Sequence, residues 1–168
     1  NRLTNNEGLS NSSVNVIYQD SNNLMWFGTW DGLNLYNSRE FKTFKPNPNV
    51  PGNITNNIIR DIIETTKGRL WITTDNGINL YTPEAMRFQS FFYDNKENSI
   101  FKERSFLICK NSHNKVIASV YNTGLYYFDE ELSDFILIRN LKETSLKKLF
   151  FDKDDNLWLF TDNNSLYR

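Results

Sequence analysis

The chain has 168 residues, long enough to bury a sizeable core, and 15% of them are aromatic. Its 19 basic and 20 acidic side chains leave a net charge of −1, without the basic excess that nucleic-acid binders carry. A single cysteine, Cys109, excludes an internal disulfide, and no apolar run approaches the roughly 20 residues that span a bilayer. Neither nucleic acid nor direct membrane contact is therefore expected of this segment. The chain opens on Asn1 rather than Met and shows no charged-then-apolar leader, so it reads as a processed chain or a cut-out segment.

Taken in chain order, the first elements are short alternating runs. Residues 14–19 form an apolar-rich strand, followed by the turn Asp20, Ser21, Asn22, Asn23. Residues 24–29 are the second strand, the turn Trp30, Asp31, Gly32 leads to a third at 33–36, and a fourth covers 41–45. A loop with three prolines, 46–53, closes the unit, where proline costs no ladder bond. The same order recurs at 59–64, 69–74, 78–81 and 88–93.

The recurrence is metric. Trp26, Gly32, Leu35 and Tyr36 reappear as Trp71, Gly77, Leu80 and Tyr81, every one displaced by 45 residues. A third copy places Ile117 at the tryptophan position, and Gly124 follows a one-residue insertion in the turn. A fourth, from Leu146, restores Trp158, carries Ser165 at the glycine position and ends at Arg168. Repeats of about 40–47 residues with four strands each are the signature of propeller blades. The expectation is an all-β chain forming a β-propeller segment, one domain over 1–168. Its repeats fall near 9–53, 54–99, 100–142 and 143–168, about three and a half blades of a larger, seven-bladed ring.

The landmarks have structural assignments. Trp26, Trp71 and Trp158 should fill the space between adjacent blades. Gly32, Gly77 and Gly124 should close the hairpins between second and third strands, where a left-handed residue is needed. The spacings from Asp20 to Trp26 and from Asp152 to Trp158 resemble the Asp-box hairpin, in which a carboxylate caps backbone N–H groups. Thr65 and Asn111 hold that place in the other copies. Cys109 lies in an apolar run and reads as a buried thiol.

Motifs that carry chemistry are missing. The one histidine, His113, sits in a polar loop, and no zinc-ligand spacing, nucleophile elbow or phosphate loop occurs. No catalytic residue, metal or cofactor is expected. The rim that gathers the second-to-third-strand turns and the inter-blade loops is more promising. It collects Trp30, Asp31, Asp75 and Tyr121, with Arg60 and Arg104 near the starts of innermost strands. Aromatic, guanidinium and carboxylate groups at a propeller mouth suit a sugar or an anionic glycan.

The pattern carried by Leu9, Ser10, Val14, Ile17, Asp20, Trp26, Gly28, Thr29, Gly32, Leu33, Asn34 and Tyr36 resembles the two-component regulator propeller repeat. The resemblance is close in the first two copies and looser in the others. It implies the periplasmic sensor region of a hybrid two-component protein, whose kinase and DNA-binding output lie elsewhere in the polypeptide. It also implies sensing of oligosaccharides. The rival functions are a glycan-processing enzyme of sialidase-like or lyase type, and a protein-docking propeller. The remaining blades of the parent are implied partners, and open strand edges suggest that the isolated segment forms a homodimer.

Overall fold

A computed structural model of the chain describes residues 4–66, 68–93, 105–142 and 144–168. The chain divides into two compact units, Asn1–Lys102 and Glu103–Arg168. Both are built of antiparallel sheets in simple meander order, as the alternating runs require.

The first unit opens with a single 3-10 turn, Asn5–Glu7, and then holds two four-stranded sheets. One is β1 (Val14–Gln19), β2 (Met25–Thr29), β3 (Gly32–Tyr36) and β4 (Phe41–Phe44). The next is β5 (Ile59–Glu64), β6 (Leu70–Thr74), β7 (Gly77–Thr82) and β8 (Arg87–Phe91). The second unit holds β9 (Phe106–Lys110), β10 (Val116–Val120), β11 (Gly124–Asp129) and β12 (Asp134–Asn140), then β13 (Leu146–Phe151), β14 (Leu157–Thr161) and β15 (Leu166–Tyr167). The fold is thus the expected all-β propeller segment, with three four-stranded blades and one of three strands among the described residues. Within each unit the first strands of the two blades pack on one another, β1 on β5 and β9 on β13.

Apolar side chains fill the gap between neighbouring blades. In the first unit Trp26, Leu33 and Phe44 of one blade meet Ile59, Ile62, Leu70, Ile72, Tyr81 and Phe88 of the next. The Trp26 ring centroid lies 5.1 Å from that of Tyr81, edge-on, and 6.0 Å from that of Phe44. Close approach also needs a missing side chain. A Cβ on Gly28 would come within 2.5 Å of both Val16 and Ile59, so glycine at this place lets β2 sit against β5.

A second set of contacts is polar and repeats in full. Asn34, wholly buried, accepts from the Ser10 amide (3.0 Å) and the Thr43 hydroxyl (3.0 Å) through Oδ1, and donates to Ser10 Oγ (2.8 Å) through Nδ2. Ser10 Oγ meets Thr29 Oγ1 at 3.1 Å, and Thr29 donates to the Gly32 carbonyl and accepts from the Asp31 amide. In the next blade Asn79, Thr55, Thr74, Ser90, Gly77 and Asn76 make the same bonds. Ser10, Thr29, Gly32 and Asn34 of the repeat motif are therefore joined in one hydrogen-bonded knot.

The turns between first and second strands follow the Asp-box geometry in two blades. Asp20 accepts from the Asn22 and Leu24 amides and, at 2.8 Å, from the Trp26 indole. Asp152 accepts from the Asp154 and Asn156 amides and from the Trp158 indole at 2.7 Å. These donors, the indole above all, hold the Asp152 carboxyl down at about 2. Asn111 caps His113 and Lys115 in the same manner. Thr65 does not, because a hydroxyl one atom from the backbone is too short: its Oγ1 is buried without a hydrogen-bond partner among the described residues. In that turn Glu64 takes over, accepting from the Gly68 amide and from the Ser21 amide and hydroxyl of the preceding blade.

Two further expectations need correction. Trp26 and Trp71 are buried, but Trp158 is only half-buried. What covers Trp26 is Phe44 of its own fourth strand and Tyr81 of the following blade, and among the described residues Trp158 makes no such ring contact. Gly32 and Gly77 do have positive φ, 120° and 104°, but Gly124 does not; the one-residue insertion moves that conformation to Asn122 (φ 55°). Gly124 is required for space, since a Cβ would lie 2.6 Å from the Arg139 carbonyl oxygen.

Replacing Trp26 by alanine should cost about 3–5 kcal/mol, the range for emptying a large buried aromatic site. Trp158→Ala should cost less than half of that, and urea unfolding of the two variants compares them directly. Equal losses would contradict the difference in packing. The depressed Asp152 carboxyl contributes stability that is complete above the unfolded value near ~4 and is lost as pH falls through about 2. The gap in urea midpoint between the parent and Asp152→Asn should therefore be constant from neutrality to about pH 4 and shrink below it.

Candidate functional site

The rim of each blade is set by one backbone bond that recurs four times. The first residue of the second-to-third-strand turn donates its amide to the residue just before the innermost strand: Trp30 to Ser13 (3.1 Å), Asp75 to Ile58 (3.2 Å), Tyr121 to Ser105 (3.1 Å) and Asp162 to Ser145 (2.9 Å). Three of the innermost strands then bulge. The pairing skips one residue between Val14 and Val16, between Ile59 and Asp61, and between Leu146 and Lys148, so Asn15, Arg60 and Lys147 are the extra residues. A bulge turns its side chain away from the regular pleat, here toward the rim turn. Asn15 Oδ1 accepts from the Trp30 indole (2.9 Å), Arg60 clasps Asp75, and Lys147 reaches the Asp162 carbonyl (3.2 Å).

In the first unit these contacts merge into one patch. Arg60 binds Asp75 through two bonds, Nε to Oδ1 at 2.5 Å and Nη2 to Oδ2 at 2.9 Å, and the Asp75 carboxylate strengthens its positive form. The Arg60 guanidinium carbon also stands 5.5 Å from the centre of the Trp30 ring, a cation–π arrangement. Asn15 in turn donates to the Ile59 carbonyl at 2.8 Å, joining the two blades. Trp30 is 50% exposed although its ring is held from two sides. Beside it, Asp31 pairs with Lys45 at 2.6 Å.

Of the residues picked from the sequence, the structure brings together Trp30, Arg60 and Asp75, with Asp31 next in the same turn. Tyr121 is an exposed turn residue of the second unit, and Arg104 lies outside the described residues. Sequence reasoning missed Asn15 and Lys45. Asn15 had a signal: it stands 45 residues before Arg60, the period of the repeat.

His113 is not part of a catalytic relay. Ser112 Oγ and Asp155 Oδ2 both contact the same ring nitrogen, Nδ1, at 3.0 and 3.2 Å, whereas a relay uses the two nitrogens separately. The Asp155 carboxylate there accepts from the Ser112 hydroxyl and amide, which ties the turns of two blades, as Glu64 and Ser21 do in the first unit. Burial pushes the Cys109 thiol up to about 12, so it stays protonated and unreactive.

The family described as the two component regulator propeller matches residues 8–31 and 53–76. Those two segments belong to the two copies in which the polar knot is complete. No curated protein matches the sequence. Among solved structures, the extracellular domain described as that of the hybrid two component system BT3049 from B. thetaiotaomicron is 18% identical, with a TM-score of 0.70 over 99% of this chain and 31% of that one. The extracellular domain of BT4673 from the same organism is 19% identical, with a TM-score of 0.70 over 95% of this chain and 22% of that one. The Neurospora crassa Pan2 WD40 domain is 11% identical, with a TM-score of 0.58 over 89% of this chain and 44% of that one. At these identities the likeness is one of fold, and the chain spans less than a third of the length of the two bacterial domains.

Proposed function

We propose that this chain, a two component regulator propeller segment, belongs to the extracytoplasmic sensing region of a two-component signalling protein and recognises an oligosaccharide without transforming it. The observation that carries the sensor reading is the repeat match at 8–31 and 53–76. The periplasm is the compartment that fits it, and the kinase output lies in other parts of the parent polypeptide. The extracellular domains that share the fold support this placement.

The rim patch supports a saccharide ligand. Trp30 offers a half-exposed ring already fixed by Asn15 and Arg60, so little side-chain freedom is lost on stacking. The charges around it are matched in pairs, Arg60 with Asp75 and Lys45 with Asp31. A patch of ion pairs presents many donors and acceptors without a net charge, which favours hydroxyl groups over an anion. A neutral oligosaccharide is the ligand class that fits, narrower than the sugar or anionic glycan expected from the sequence.

Calorimetry with a panel of neutral and acidic oligosaccharides tests the reading. A neutral member should bind, Trp30→Ala should weaken it by about tenfold or more, and the recovered glycan should be intact. If no neutral member binds, if Trp30→Ala binds as tightly as the parent, or if the glycan is cleaved, the reading fails.

A further inference from the structure

The turn that carries Trp30 is fastened across the seam between the first two blades. At the end of the turn the Gly32 amide donates to the Asn57 carbonyl at 2.8 Å. Asn15 uses both ends of one side-chain amide: Oδ1 accepts from the Trp30 indole at 2.9 Å, and Nδ2 donates to the Ile59 carbonyl at 2.8 Å. Arg60, the next residue, holds its guanidinium carbon 5.5 Å from the centre of the Trp30 ring while bound to Asp75. Asn15, Trp30 and Gly32 belong to the first blade, and Asn57, Ile59 and Arg60 to the second or to the segment entering it.

The seam is tight beside these contacts. Ile59 is fully buried, and its side chain closes on Gly28 together with that of Val16. Asn15 itself is exposed on a bulge, so what fixes the plane of its amide is the second bond, to Ile59. If the seam opens, Nδ2 loses that carbonyl, the amide is free to turn, and the indole loses its fixed acceptor. Arg60 withdraws with the strand that begins at Ile59. An ordered Trp30 ring and a closed seam are therefore one state. A ligand that stacks on the ordered ring binds that state more tightly than the open one, and by linkage it favours closure by the same factor.

We infer that Asn15 is the positioning residue of the Trp30 patch and makes it conditional on the seam, so that a saccharide stacked on Trp30 holds the first two blades together. The last step rests on the saccharide reading of the patch. The tie through Asn15 does not.

Hydrogen exchange followed by nuclear magnetic resonance on the full chain tests it, with maltopentaose, cellopentaose and mannopentaose as neutral probes. The Gly32 amide reports the seam, because its acceptor is Asn57, and the Trp30 indole N–H, assigned by its loss in Trp30→Phe, reports the ring. Asn15 is exposed, so Asn15→Ala should stay folded. In this variant both protons should exchange about three- to tenfold faster than in the parent, the size of one lost hydrogen bond. A probe that binds should slow Gly32 exchange in the parent and bind Asn15→Ala more weakly by about the same factor. Unchanged Gly32 exchange in folded Asn15→Ala overturns the tie, and a bound probe that leaves Gly32 exchange as it was overturns the coupling. If no probe binds, the saccharide reading alone is at fault, and the Gly32 comparison in the free protein still decides the tie.

Discussion

The buried amide of Asn34, repeated at Asn79, is the constraint on which the rest of each of the first two blades depends. One side chain ties the segment entering the blade (Ser10 or Thr55), the fourth strand (Thr43 or Ser90) and, through a threonine, the turn between second and third strands. Such a group cannot be buried half-satisfied, because each orphaned polar atom costs about 1–3 kcal/mol. The knot is therefore complete or it is replaced. In the third blade the position of Asn34 is held by Tyr126, the threonine position by Val120, and the turn is one residue longer. Ordinary apolar packing around Cys109, Ile117, Leu125 and Leu149 carries the second unit instead.

A fixed frame leaves the rim free to vary. The amide bond from the turn to the residue before the innermost strand occurs in all four blades, so within each blade the turn is fixed to its own innermost strand in the same way. The bulge then aims one side chain at that turn, and its identity changes from Asn15 to Arg60 to Lys147. Its partner changes with it, from an indole to a carboxylate to a backbone carbonyl. This division separates what folding needs from what recognition can use. It also explains how Arg60 serves both its own Asp75 and Trp30 of the preceding blade. The bulge places it at the seam between the two.

The sequence made the frame legible because the frame is periodic. A displacement of 45 residues, hydrophobic alternation and turn chemistry located every strand of the first two blades to within two residues. The rim was legible only in part. Trp30, Arg60 and Asp75 were chosen for their chemistry and their places in the repeat, but which acid would pair with which base depends on a bulge that alternation does not reveal. Asn15 was overlooked for the same reason: on a regular strand its side chain would point elsewhere. Trp158 shows the opposite limit, since a residue can match its motif in full and still be only half-buried. Gly124 fits its alignment too, yet for space rather than for φ.

Proton affinities bear on what the described residues can do. Cys109, Tyr18 and Tyr81 are all raised, each chiefly by burial, so all three remain protonated at neutral pH. Arg60 is raised by its bond to Asp75. Asp152 and Asp155 are lowered, by Trp158 and by Ser112 as the leading donors, and remain ionised. Every one of these shifts moves its group further from neutrality. A general acid or base is tuned the other way, toward the working pH. The environments that perturb these groups belong to turns, blade seams and the core, where they lock charge states that hold the frame. Side chains with locked charge states can orient a ligand through hydrogen bonds, stacking and ion pairing.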